Sequence, residues 1–189
     1  MRTMCVINQK GGVGKTTTAV SVAAKLAMEN RRVLLVDADP QGNISQSLRQ
    51  EPKQTIYEFL TNDAFVRDCT TTVGKNLDVM QSNERLTKID SFLKSYPQPN
   101  KLVKDRIHTI SGYDYIIFDC PPSLGILNQN IMVFVNEAII PASTQYLSIT
   151  GLANMTEAIS EINKHFEHNL DVKYIVPTLH DKRNKTNKD

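Results

Sequence analysis

The chain has 189 residues, 40% of them apolar, enough for one globular domain with a buried core. Lysine and arginine number 22 against 20 aspartate and glutamate, so the net charge of +2 is too small to establish a nucleic-acid partner, and only the placement of the charges can do so. Three cysteines, Cys5, Cys69 and Cys120, form no CxxC pair and no zinc spacing, which excludes a disulfide framework and points to a reduced, cytosolic setting.

The N-terminus enters "MCVIN" almost at once, a strand over 4–8, with no secretory pattern before it. A glycine-rich turn and a helix over 15–29 follow, then a second strand, "RVLLVD", at 32–37. Thr55-x-x-Glu58 is the spacing of a capping box and opens a helix over about 55–62. "LDVM" (77–80) is a short strand; helices over about 84–95 and 100–110 are separated by the breaker "YPQPN", read as a loop inside one domain. "YIIFD" (115–119), a helix over about 124–136, "AIIPA" (138–142), a helix over about 149–167 and "YIVPT" (174–178) complete the series. Brief strands rich in Val, Ile and Leu, alternating with helices, predict an α/β fold: a mostly parallel sheet flanked by helices, in a single domain spanning 1–189. No apolar run approaches the ~20 residues that span a bilayer, so a soluble chain is expected.

Gly11-Gly12-Val13-Gly14-Lys15-Thr16-Thr17 lies between a predicted strand and a predicted helix, the context that makes a phosphate-binding loop. Glycines let amide groups close around phosphate oxygens, and the helix N-terminus adds its dipole. Lys15 supplies a cation to the terminal phosphates and the Thr16 hydroxyl a ligand for Mg²⁺. The loop is a variant, because Gln9 stands where the strict pattern has its first glycine, and Lys10 adds a second lysine that a generic loop does not need. Asp119 closes "YIIFD" at the C-terminal edge of the sheet, where ligands of such folds bind, and can face the metal opposite Thr16. Asp37 and Asp39, two residues apart in "VDADPQGN", project to one side of an extended backbone; they read either as a polar turn or as a carboxylate that positions the attacking water.

"KGGVGKTT", "VDADPQGN" and "FDCPPSLG", in this order, resemble the deviant Walker-A P-loop NTPases of the ParA/Soj/MinD family, most closely its ParA/Soj branch. The similarity extends through "IIPASTQYLSITGL" and "VPTLHDKR", nearly the whole chain. The resemblance implies a Mg²⁺-dependent ATPase that works as a switch in plasmid or chromosome partition. It makes Lys10 the signature lysine, reaching the nucleotide of a second subunit so that ATP closes a homodimer. Lys15, Gly11, Gly12, Val13, Gly14, Thr16 and Thr17 become the phosphate loop; Asp119 acts on the metal through water, and Asp39 serves hydrolysis, with a second water-mediated metal contact. Pro177 and Thr178, with Asp181 beside them, fall where the family contacts the base.

The same resemblance implies non-specific, salt-sensitive DNA binding by the ATP-bound dimer, for which Lys182, Arg183, Lys185 and Lys188 are the candidates. A ParB-like, centromere-binding adaptor is the implied partner, and a cytoplasmic protein associated with the nucleoid when ATP-bound is the implied location. Two departures stand out: family members continue into a further strand and helices after the position of Asp189, and Gln145 and Thr150 replace residues that are acidic in many relatives. Three other readings stay open. A MinD-like membrane-positioning ATPase needs an amphipathic C-terminal helix, and "KRNKTNKD" has no apolar face. A relative of the nitrogenase iron protein needs cluster-holding cysteines, and Cys69 and Cys120 lack that context. A short nucleotide-binding regulator that pairs with full-length subunits would lack turnover.

Overall fold

The computed structural model describes residues 1–49, 52–62, 64–144 and 148–179, with the side chains of 148–150 outside that description. Gln145, Asp181, Lys182, Arg183, Lys185 and Lys188, and the side chain of Thr150, therefore lie outside the described residues. The elements in order are β1 (Arg2–Val6), α1 (Lys15–Met28), β2 (Val33–Asp37), α2 (Asn43–Leu48), α3 (Ile56–Thr61), α4 (Val66–Cys69), β3 (Thr70–Gly74) and β4 (Leu77–Met80). A 3₁₀ turn (Glu84–Lys88) leads into α5 (Ile89–Ser95), followed by α6 (Leu102–Ile107), β5 (Tyr115–Asp119), α7 (Ile126–Phe134), β6 (Glu137–Ser143), α8 (Ser148–Phe166) and β7 (Asp171–Thr178).

Seven strands form one sheet in the order β3-β4-β2-β5-β1-β6-β7, parallel except for β3 against β4. Side chains alternate across it. On β2, Leu34 and Val36 enter a core closed by α3 and α5 to α8, while Val33 and Leu35 enter one closed by α1 and α2. Ala19 and Ala23, four residues apart on α1, are fully buried and let that helix lie close against the strands. The two faces are thus both covered, and β2 is buried along its whole length, as parallel strands require.

The expected strand-helix alternation holds from β1 to β2 and from β5 to β7. Between them the chain departs from it: "TTTVG" is an antiparallel edge strand paired with β4, where the alternation predicts none. The capping box at Thr55 forms as expected, the Thr55 N–H donating to the Glu58 carboxylate at 2.9 Å and the Tyr57 N–H to the Thr55 hydroxyl at 3.2 Å. Arg85 pairs with the same carboxylate at 2.5 Å, so this helix start is also an anchor for the 3₁₀ turn. All three cysteines are buried and free. Among the described residues no helix is long and apolar enough to cross a membrane.

Candidate functional site

At the carboxyl end of the sheet, the chain leaves β1, turns through residues 7–14 and enters α1 at Lys15. Gly12 and Gly14 take positive φ, +72° and +85°, a conformation that suits glycine. Gly14 is the N-cap, and the first helical bond runs from the Thr18 N–H to its carbonyl at 2.9 Å. The amides of Lys15, Thr16 and Thr17 lie ahead of that bond and have no carbonyl one turn behind them, which makes this end of α1 attractive to an anion.

Asn8 organises the turn. It is 2% exposed, donates from Nδ2 to the Pro141 carbonyl on β6 at 2.8 Å and accepts from the Lys10 N–H at 3.0 Å. The backbone of Lys10 is therefore pinned to the sheet, while its ammonium makes no hydrogen bond or ion pair among the described residues. Lys15 behaves differently. It is 8% exposed, and its Nζ donates to the Lys10 carbonyl at 3.2 Å. Burial pushes its pKa below the ordinary lysine value, and the carboxylates of Asp119 and then Asp39 oppose that shift.

Three aspartates share this edge. Asp37 and Asp119 stand opposite each other in the β2–β5 register, and both are almost wholly buried. Asp37 is satisfied: Oδ1 accepts from the Asp39 N–H at 3.1 Å and Oδ2 from the Ile44 N–H at 3.2 Å. Its carboxyl is pushed up to about 7, first by burial and then by the charge of Asp119. Asp119 is raised to about 6, again by burial first, with the Thr16 hydroxyl and Lys15 acting to lower it and Asp39 to raise it. Although Thr16 is near enough to act on it, neither Asp119 oxygen completes a hydrogen bond of standard length and angle among the described residues. Two unpartnered, buried carboxylate oxygens beside a threonine hydroxyl suit the water ligands of a hard divalent cation. Among the described residues no cluster of three or more His, Cys, Asp or Glu could hold a metal ion by itself.

Asp37 and Asp39, two residues apart, have different surroundings. Asp37 ties the start of α2 to the sheet; Asp39 is 9% exposed, spends one oxygen on the Gln41 N–H at 2.9 Å and lies near enough for its charge to act on Lys15 and Asp119. Its loop ends at Gly42, with φ +60°, where an added Cβ would come within 2.9 Å of the Ser82 carbonyl. Thr178 ends β7 and donates its hydroxyl to the Val13 carbonyl at 2.8 Å, so it buttresses the loop, while Pro177 beside it is exposed. Asn8 and this contact were not anticipated, because a single polar residue bonded to a distant carbonyl has no spacing to recognise.

A glycine loop joining strand to helix, a buried loop lysine and a strand-end carboxylate across from its threonine define a P-loop NTPase, with a second lysine of its own in the loop. Residues 1–172 match the family described as AAA domain. The chromosome partitioning protein ParA of Myxococcus xanthus (strain DK1622) is 37% identical over 187 residues, covering 96% of this chain and 66% of that protein. The sporulation initiation inhibitor protein Soj of Bacillus subtilis (strain 168) is 37% identical over 185 residues, covering 95% and 73%. Cobyrinic acid a,c-diamide synthase from Mycobacterium smegmatis, solved with bound ADP and magnesium, superposes with a TM-score of 0.90 at 32% identity, over 100% of this chain and 79% of that one. The chain thus spans about two thirds to three quarters of the two partition proteins. It belongs to the ParA/Soj family and is an ATPase.

Proposed function

We propose that the chain is a Mg²⁺-dependent ATP switch for DNA partition, in which ATP closes two copies face to face and hydrolysis lets them part. The observation that carries this reading is the division between the two lysines: Lys15 is buried in its own site beside Asp119, whereas Lys10 has a pinned backbone and an ammonium without a partner among the described residues. Lys15, the loop Gly11–Gly14 and the first turn of α1, with Thr16 and Thr17, hold the phosphates. Thr16 and, through water, Asp119 hold the metal, with Asp39 as a second water-mediated contact; bound Mg²⁺ neutralises phosphate charge. Asp39, whose charge acts on both Lys15 and Asp119, orients the attacking water and accepts its proton. Lys10 extends to the phosphates held by the second copy, which places a cation there only when the copies close. Pro177 and Thr178 border the base.

The closed dimer binds DNA without sequence preference through Lys182, Arg183, Lys185 and Lys188, and a ParB-like adaptor stimulates hydrolysis and release. On this reading the protein is cytoplasmic and gathers on the nucleoid in its ATP state. Likeness to the ADP- and magnesium-bound synthase supports the nucleotide half of the reading, and likeness to ParA and Soj the partition half. Fluorescence anisotropy of a random-sequence duplex, titrated with the Asp39→Ala protein in ATP and in ADP at two salt concentrations, tests it. Binding in ATP alone, weakened by salt, is expected. Equal binding in both nucleotides, or none in either, would overturn the DNA-switch reading.

A further inference from the structure

The turn that follows Asp119 is built differently from the turn that follows Asp37, although both aspartates end parallel strands at paired positions. An aspartate before a turn ordinarily accepts a hydrogen bond from the amide two residues on. Asp37 does so, from the Asp39 N–H at 3.1 Å. After Asp119 the corresponding residue is Pro121, with Pro122 next, and neither has an N–H to offer. The Cys120 N–H is already engaged with the Val6 carbonyl at 3.1 Å. The backbone immediately downstream is thereby unable to quench the Asp119 carboxylate.

A turn with two consecutive prolines must be held by its carbonyls, and Asn128 does this. It lies in the first turn of α7, is 1% exposed, and donates from Nδ2 to the Pro121 carbonyl at 3.0 Å and to the Ser123 carbonyl. Because both partners are acceptors, the amide has one usable orientation. Its Oδ1 is buried and has no hydrogen-bond partner among the described residues. The start of α7 has a separate anchor in Asp90, which accepts from the Ile126 N–H at 3.3 Å and the Leu127 N–H at 3.1 Å.

We propose that Pro121 and Asn128 form a positioning pair that keeps both oxygens of Asp119 unpaired and aimed for metal-bound water: the proline withholds the competing amide, and the asparagine fixes the turn that carries it. Resting on the Mg²⁺-ATP reading above, the proposal concerns how tightly the metal couples to nucleotide. A fluorescent ADP analogue titrated in EDTA and in Mg²⁺ measures this coupling as a ratio of two dissociation constants, without turnover. Pro121→Ala restores an N–H two residues after Asp119; Asn128→Ala frees the turn. Each is expected to bind nucleotide in EDTA within about twofold of the unaltered chain and to lose about fivefold or more of the Mg²⁺-dependent tightening. Asp90→Asn weakens the same helix start without touching the turn and should keep the full Mg²⁺ effect.

An intact Mg²⁺ ratio in both Pro121→Ala and Asn128→Ala would overturn the proposal, as would an equal loss in Asp90→Asn, which would make the effect one of helix stability. Asn128→Ser, retaining one donor, carries the same test if the alanine variant does not fold. If the unaltered chain itself binds nucleotide with no Mg²⁺ effect, the Mg²⁺-ATP reading fails and this proposal with it; an effect in the unaltered chain that survives in the variants defeats the proposal alone.

Discussion

Removing the charge of Asp119 should stabilise the nucleotide-free protein while disabling its metal site. Its carboxyl is raised to about 6 from an ordinary 3.8, chiefly because it is buried. A difference of that size corresponds to ~3 kcal/mol at ~1.4 kcal/mol per pH unit, an unfavourable contribution of the ionised form to folding. The sign follows from proton binding: between pH 3.8 and about 6 the folded chain holds the proton more firmly than the unfolded one, so stability falls as pH rises through that window. Above it the penalty is complete, and below it the penalty is gone. Asp37, raised to about 7, acts in the same direction and extends the window upward.

Asp119→Asn removes this penalty but buries an amide that finds no ready acceptor, which costs ~1–3 kcal/mol. The net expectation is a gain of ~0–2 kcal/mol at pH 8, or up to ~8 °C in Tm for a chain of this size. Thermal and urea unfolding in EDTA at pH 8 and pH 5 would measure it, with the gain shrinking at pH 5 as the native carboxyl takes up its proton. The charge of Asp119 is the second cause of the raised Asp37 carboxyl, so Asp37 should also titrate lower in the variant. With Mg²⁺ and ADP added, the order should reverse, because only the unaltered chain gains metal-coupled binding energy. Loss of stability at pH 8, or a gain unchanged between pH 8 and pH 5, would refute the view that Asp119 is an unpaired charge held for a metal.

Lys15→Ala should abolish binding of a fluorescent ATP analogue, since it removes the cation buried within the loop; unchanged affinity would defeat the phosphate-loop assignment. Lys10→Gln should bind nucleotide as a single copy and fail to dimerise in ATP by light scattering. Asp39→Ala should bind ATP and lose turnover, accumulating the closed dimer. Gly42→Ala should lower stability by ~2 kcal/mol or more in urea, because a left-handed backbone costs ~1–2 kcal/mol with a side chain and the new Cβ would meet the Ser82 carbonyl at 2.9 Å. Gly12→Ala meets nothing within 4 Å and should cost only the backbone strain.

The strands that build the centre of the sheet were legible because burial on both faces writes them as continuous apolar runs, "RVLLVD" and "YIIFD" among them. "TTTVG" was not, since an edge strand whose last three residues are exposed needs no apolar residues to be stable. The helix expected over 84–95 begins as a 3₁₀ turn, which the Asn83 side chain caps by accepting from the Arg85 N–H at 3.0 Å, and continues as α5. In the site, the residues proposed to meet the nucleotide were legible by their spacing within the loop. Residues that hold the backbone were not: Asn8 reaches a carbonyl 133 residues away and Thr178 one 165 residues away.

The aspartates show where a finer signal did exist. Asp37 and Asp119 share residue type, strand-end position and burial, and periodicity treats them alike. What separates them lies two residues downstream, where Asp37 meets an amide and Asp119 meets a proline. A carboxylate supplied with a local donor is a structural tie; one deprived of it by proline is left unpaired until a ligand arrives. The role of a strand-end acid in such a fold is therefore set as much by the donors that its turn withholds as by the acid itself.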